Sequence, residues 1–225
     1  MLHIVIATRN RDKFRELARL LAMPGIRWHP LREFPGAPTV EETGRTFDAN
    51  AIAKAQAVAR STGHAAVADD SGLEVEALGW KPGVRSARFA GRHGDNRANN
   101  ERLLRVLKGT PRSRRRARYR CSLALADAER VIALTRGTWT GRIALAPRGS
   151  GGFGYDPLFL VPRLGKTVGQ LPASLKRRLS HRAQAARRLR PILRRLLRRD
   201  GEGRRPGRVT GPRQTSAGGA RRRRG

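Results

Sequence analysis

The run Val67-Ala68-Asp69-Asp70-Ser71-Gly72-Leu73-Glu74-Val75 sets two adjacent carboxylates at the end of a short apolar segment. Like charges this close raise one pKa and cost stability unless a divalent cation or a cationic ligand offsets them. A fold for this chain therefore has two choices. It leaves the pair on a solvated turn, with Ser71-Gly72 reversing the chain, or it brings compensating charge to the pair from distant segments.

The flanking segments alternate strand and helix. Residues 2–7 read as a buried strand ended by Thr8-Arg9-Asn10, and Phe14, Leu17, Ala18 and Leu21 then recur at helical spacing. A strand, a polar loop and a helix start leave backbone N–H groups free to meet an anion. Lys13 in that first turn opposes the helix dipole, so it is either merely exposed or holds a phosphate. The glycines and Lys-Ser/Thr pair of a Walker loop are missing. Thr46 reads as the N-cap of an alanine-rich helix that stops near Gly63, with Asn50 and Lys54 four apart on one face. Asp95 reads as the cap of a helix carrying Leu103, Leu104 and Leu107, and residues 108–116 as a basic surface loop. Tyr119, Cys121, Leu123 and Leu125 alternate as a strand that turns at Asp127 into a hairpin partner through Trp139. A glycine-rich loop then presents Phe153, Gly154, Tyr155 and Asp156, where backbone approaches a flat ligand closely and an aromatic ring stacks on a base; the alternative is a surface loop with one ring in the core. From Ala173 a helix is expected to run through Lys176, Ser180, His181 and Arg182, with Pro191 kinking or splitting it.

Charge is distributed unevenly. The formal net charge is +32, and 19 of the 49 basic residues lie from Lys176 onward against Asp200 and Glu202 as the only acids there. Residues 200–225 are almost devoid of apolar side chains and are expected to be a disordered tail outside a domain of residues 1–199. A single cysteine forms no internal disulfide, which fits a reducing cytoplasm, and no apolar run reaches membrane-spanning length.

In order along the chain stand Ile6-Ala7-Thr8-Arg9-Asn10-Arg11-Asp12-Lys13, Glu41-Glu42-Thr43-Gly44, Asn50-Ala51-Ile52-Ala53-Lys54-Ala55 and Ala68-Asp69-Asp70-Ser71-Gly72. Pro82-Gly83, Ser86-Ala87-Arg88, Gly152-Phe153-Gly154-Tyr155-Asp156-Pro157 and Ser180-His181-Arg182 follow. This series resembles the inosine/xanthosine triphosphate pyrophosphatases, the HAM1-like family. The resemblance implies an α/β fold with an elongated mixed central sheet flanked by helices, two lobes with the active-site cleft between them, and a homodimer. It implies Mg²⁺-dependent hydrolysis of ITP, dITP, XTP and dXTP to the monophosphate and pyrophosphate. Carried over by position, Asp70 is the expected general base and metal-site acid, with Asp69 beside it and Glu41 as a second acid ligand. Thr8, Arg9, Asn10, Arg11, Asp12, Lys13 and Lys54 are expected around the triphosphate, with Ser71 touching substrate. Phe153 is expected to stack on the purine, and Gly154, Tyr155, Asp156, Lys176, His181 and Arg182 to complete the pocket.

Arg9 departs from the small residue common in the family's phosphate loop, Arg11 and Asp12 also replace smaller residues, and Leu175 stands where an acid is common. The competing class is a basic nucleic-acid-binding protein using its Arg-rich C-terminus. No readout motif supports it, and aromatic content is 5%.

Overall fold

The structure is a computed structural model and describes residues 1–203. Strand β1 (Leu2–Ile6) is aliphatic, with Ile4, Val5 and Ile6 fully buried. Asn10 caps α1 (Arg11–Leu21), its side chain accepting from the Asp12 and Lys13 amides at 2.9 and 3.0 Å. The helix buries Leu17 and Leu21, and β2 (Ile26–Pro30) returns parallel beside β1. Thr46 caps α2 (Phe47–Thr62), which ends at Gly63 in the left-handed conformation. Next come β3 (Ala65–Val75), parallel to β1, the two-residue β4 (Lys81–Pro82), and α3 (Asn96–Val106), capped by Asp95. The expected hairpin is β5 (Arg116–Ala126) against β6 (Val131–Ile143). Then follow β7 (Phe159–Val161), β8 (Lys166–Thr167), α4 (Ala173–Leu179) and α5 (His181–Gly203). The sheet is mixed, in the order β2-β1-β3-β5-β6-β7-β8, with β4 paired to β3.

Three strands are long enough to belong to two cores at once. One end of β3 and β5 packs beneath α1, α2 and α5, where Ile4, Leu17, Leu123 and Leu189 lie on one face and Ala51, Ala55, Ala66 and Ala124 on the other. The opposite ends pack Leu73, Tyr119, Trp139 and Phe159 against Leu103 and Leu107 of α3. The register explains the cleft between these lobes. Strand β1 pairs with β3 only as far as Val67, and β4 rejoins the same edge at Glu74. Between those points one edge of β3 is bare, and it carries Asp69, Asp70, Ser71 and Gly72.

That continuity corrects the expected Ser71-Gly72 turn, because β3 runs unbroken from Ala65 to Val75. The glycine serves close approach instead: a Cβ on Gly72 would lie 2.4 Å from Ser86 Oγ and 2.5 Å from the Gly83 carbonyl. Gly72→Ala is therefore expected to destabilise the fold by about 1–3 kcal/mol through overpacking, read as a lower urea midpoint at unchanged slope. An unchanged midpoint would contradict the contact.

The last helix also differs from expectation. The break falls at Ser180, which is extended with ψ 157° and whose Oγ accepts from the Ala183 amide at 3.1 Å to start α5. Pro191 does not split α5. It sits on the exposed side, as does Arg187, whose carbonyl receives no N–H from the proline, while Leu189 and Leu193 hold the other side in the core. The basic loop of residues 108–116 is on the surface as expected, except for the side chain of Arg115. That side chain is buried and donates to the carbonyls of Leu107, Thr110 and Ala144. Backbone helix continues through residues 200–203, and the rest of the expected tail lies outside the described residues.

Candidate active site

Side chains alternate across a strand, so the two neighbouring acids leave β3 on opposite faces. Asp69 shares the Val67 face with α1 and α5. Its Oδ2 accepts from Ser71 Oγ at 2.9 Å and Arg182 Nε at 3.1 Å, with Lys13 Nζ at 3.5 Å. Burial pushes its carboxyl up, but Lys13, Arg182 and Lys54 together hold it well below the usual carboxylate range. Asp70 shares the Ala68 face with α2. It accepts from Asn50 Nδ2 at 2.9 Å and from the Ser71 amide at 3.0 Å, and Lys54 Nζ lies 3.7 Å away. Burial raises its pKa to about 6, with Lys54 opposing and Glu42 adding to the rise. Lys54 donates to Glu42 at 2.6 Å and to the Asp69 carbonyl at 2.7 Å. Burial alone would lower the lysine's pKa; Asp70, Asp69 and Glu42 reverse the sign and raise it. Thus one acid of the pair stays ionised and locked, while the other is poised near neutrality.

The facing wall is the glycine-rich loop, pinned by Asp156. Its Oδ2 accepts from the Phe153 amide at 2.9 Å and from Lys176 Nζ at 2.5 Å, and its Oδ1 accepts from Tyr119 Oη at 3.2 Å. Gly152 has φ +77°, and a Cβ there would collide with Asp156 Oδ2. Phe153 carries two cations against its ring, Lys176 Nζ at 4.6 Å and the Arg182 guanidinium at 5.1 Å from the centroid. Tyr155 Oη donates to the Ser86 carbonyl at 2.8 Å, and Asn100 Nδ2 donates to the Gly154 carbonyl at 3.0 Å. His181 stacks on Tyr119 with centroids 4.7 Å apart. Its burial, reinforced by Arg182 and Lys176, drives its pKa well below the usual value, so the imidazole is neutral. Its Nδ1 is buried without a protein partner among the described residues.

A cleft of about 500 Å³ joins these two walls. Every residue expected from the sequence lines it except Arg11, Asp12 and Asp69. Arg11 and Asp12 are exposed on the outer turn of α1, and Asp69 lies behind the strand edge under its cations. The helix amides expected to be free are partly taken, since Asn10 itself accepts from two of them. Arg9 turns its guanidinium to the Ala37 carbonyl at 3.2 Å. Glu41 borders the cleft but is exposed; Glu42 is the acid that reaches Lys54. The sequence reading assigned no role to Glu42, Asn50, Arg88 or Tyr119. Arg88 donates to the Glu42 carbonyl at 3.0 Å, and Asn50 Oδ1 accepts from the Gly44 amide at 2.8 Å. The available signal was the four-residue spacing of Asn50 and Lys54 on one helix face.

The model of the Ham1 family matches residues 4–192. The chain belongs to the Ham1 family. Relatives include the dITP/XTP pyrophosphatase of Geobacillus kaustophilus, 49% identical over 189 residues, covering 84% of this chain and 93% of that one. The protein of the same name from Nitratidesulfovibrio vulgaris is 50% identical over 192 residues, covering 83% and 93%. Among solved structures, a HAM1 protein from Coxiella burnetii superposes with a TM-score of 0.79 at 40% identity, over 87% of this chain and all of that one. The Ham1 match spans both lobes and every residue of the cleft named above.

Proposed function

We propose that this chain hydrolyses deaminated purine nucleoside triphosphates, ITP, dITP, XTP and dXTP, to the monophosphate and pyrophosphate. One observation carries the reading: a carboxyl poised near neutrality, Asp70, shares a cleft with a pinned aromatic loop and with lysines from separate elements. In this reading Lys13, Lys54, Thr8 and Asn10 meet the phosphates. Asp70 takes the proton of the attacking water, a task suited to a pKa near the working pH. Phe153 stacks on the purine, held in place by Asp156 and Lys176. The neutral His181 offers its unpartnered Nδ1 to the base edge. Hypoxanthine and xanthine present a 6-oxo acceptor there, whereas adenine presents an amino donor and would leave a buried donor facing a donor.

Magnesium fits this donor set. Among the described residues no three His, Cys, Asp or Glu side chains converge as a cage, but Mg²⁺ commonly takes one or two carboxylates and completes its shell with phosphate oxygens and water. Asp70 and Glu42, close enough for Glu42 to raise the Asp70 pKa, are the carboxylates that would hold it. When bound, the ion neutralises phosphate oxygens and orients water. The same reading carries a homodimer, which rests on the family resemblance, and a cytoplasmic location, which fits one buried, unpaired cysteine. No helix among the described residues is long and apolar enough to cross a membrane.

The deciding experiment is pyrophosphate release from ITP, XTP, GTP and ATP with Mg²⁺. ITP and XTP should lead ATP by about two orders of magnitude or more, as expected where a mismatch leaves buried polar groups unpaired; GTP shares the 6-oxo group, so its rejection must act at position 2, and equal turnover of all four would refute the selectivity. Phe153→Ala should weaken nucleotide binding about 10–100-fold, the loss of one base–aromatic stack, measured by equilibrium titration with a non-hydrolysable ITP analogue.

A further inference from the structure

Helix α5 leaves the cleft at His181 and Arg182 and then runs along the protein surface. Its buried side is apolar, with Ala185, Ala186, Leu189 and Leu193 in the core. Its exposed residues are Arg187, Arg188, Pro191, Arg194, Arg195, Arg198 and Arg199. At 100° per residue these fall within an arc of roughly 140° on one side of the helix, a continuous arginine stripe about 18 Å long at 1.5 Å per residue. The sequence places no Asp or Glu between Asp156 and Asp200. Among the described residues none of the six arginines forms an ion pair with a carboxylate. Elsewhere Arg97, Arg118 and Arg136 are paired to acids. Two stripe residues are bound only to backbone: Arg187 donates to the Arg178 carbonyl at 2.7 Å and Arg188 to that of Arg136. Six like charges on one helix face repel one another, so the stripe is a poor device for stability.

We propose that this stripe docks the protein, independently of sequence, on the phosphate backbone of duplex nucleic acid. Charge complementarity selects that occupant. A duplex carries one negative charge per about 1.7 Å of axis, so an 18 Å row of guanidinium groups faces roughly ten phosphates. A second copy of this chain is disfavoured, because a two-fold contact would set stripe against stripe. An interfacial membrane helix needs an apolar face free to enter the lipid, and the apolar face of α5 is already buried. Docking here also differs from attachment through residues 204–225, since the arginines stand on a helix packed to the core.

The test uses the full chain and fluorescence anisotropy with fluorescein-labelled 20-base-pair DNA and RNA duplexes over a salt series. The comparison variant replaces Arg187, Arg188, Arg194, Arg195, Arg198 and Arg199 with Gln, and a second carries Lys at the same six positions. If all six arginines engage, counterion release predicts a log–log salt slope about 5 units shallower for the Gln variant than for the parent. The Lys variant should keep most of the parent slope, and both should hydrolyse ITP at parental rates. An unchanged slope in the Gln variant would overturn the proposal and assign any binding to residues 204–225, which hold eight further arginines. Equal or tighter binding of the parent to vesicles of anionic phospholipid would overturn the choice of occupant. If six substitutions unfold the protein, the pairs Arg194/Arg195 and Arg198/Arg199 replaced separately should each flatten the slope by about 2 units, and no flattening in either would refute the stripe.

Discussion

Asp70→Asn is expected to lower ITP turnover by about 10²–10⁴-fold, the usual contribution of a positioned general base, while making the metal-free protein more stable at neutral pH. The two effects have one cause. An ordinary aspartate titrates at 3.8 and Asp70 is raised to about 6, so between those values the folded state binds more protons than the unfolded one. Stability supplied by the protonated carboxyl is complete below 3.8 and is lost as pH rises through 6. At neutral pH the ionised group is held at a cost of up to about 3 kcal/mol, taking 1.36 kcal/mol per pKa unit. The amide keeps the shape, its oxygen still accepts from Asn50, and it carries no charge, while its NH2 faces the Ser71 amide that the second carboxylate oxygen accepted from, which trims the gain. A rise in Tm of several degrees at neutral pH, shrinking toward the acid side, is the expected signature in thermal melts without divalent metal. A variant that is both inactive and less stable at neutral pH would mean that Asp70 is a structural acid rather than a poised one.

This antagonism shows which parts of the site a sequence can reveal. Asp70 stood out because adjacent carboxylates demand compensation, and Phe153 because an aromatic among glycines has few reasons to be there. The strand and helix periods located the major elements, from Ile4 in β1 to Trp139 in β6. What stayed hidden was register. Asp69 and Asp70 read as a pair facing one solvent, yet the pleat sends them to opposite faces, one to Arg182 and the other to Asn50. Ser71-Gly72 read as a turn because glycine breaks chains, whereas Gly72 is there to let Ser86 and Gly83 approach. Glu41 and Glu42 are indistinguishable as letters, and only the path of the chain before α2, where the Thr43 amide donates to the Glu41 carbonyl at 3.0 Å, decides that Glu42 reaches Lys54. Pro191 misled for a related reason: its cost depends on whether the orphaned carbonyl meets water, which is a property of the packed helix.

Arg182→Met is expected to be the most destabilising substitution in the site. Arg182 is 4% exposed and its guanidinium links three elements. It donates to Asp69 at 3.1 Å, to Glu16 at 3.2 Å and to Ser71 Oγ at 2.7 Å, tying α5 to α1 and β3. Methionine fills much of the volume but leaves Glu16 without its cation and Asp69 with only Lys13 and Lys54 to offset it. Removing one partner of a buried pair typically costs about 3–5 kcal/mol, which for a domain of this size lowers Tm by roughly 6–20 °C. Because the loss is an unpaired charge rather than a missing contact, Asp69→Asn in the same chain should recover part of it. Arg182→Lys should fall between, keeping the charge without the fork that reaches all three acceptors. The pH dependence has the opposite sign to that of Asp70. Asp69 is held below its ordinary 3.8, so its contribution is present above that value and is lost as pH falls through the depressed one. Arg182→Met should therefore lose most stability at neutral pH and converge on the parent in acid. Equal melting temperatures for parent and Arg182→Met at neutral pH would remove Arg182 as the clamp of α5 to α1 and β3.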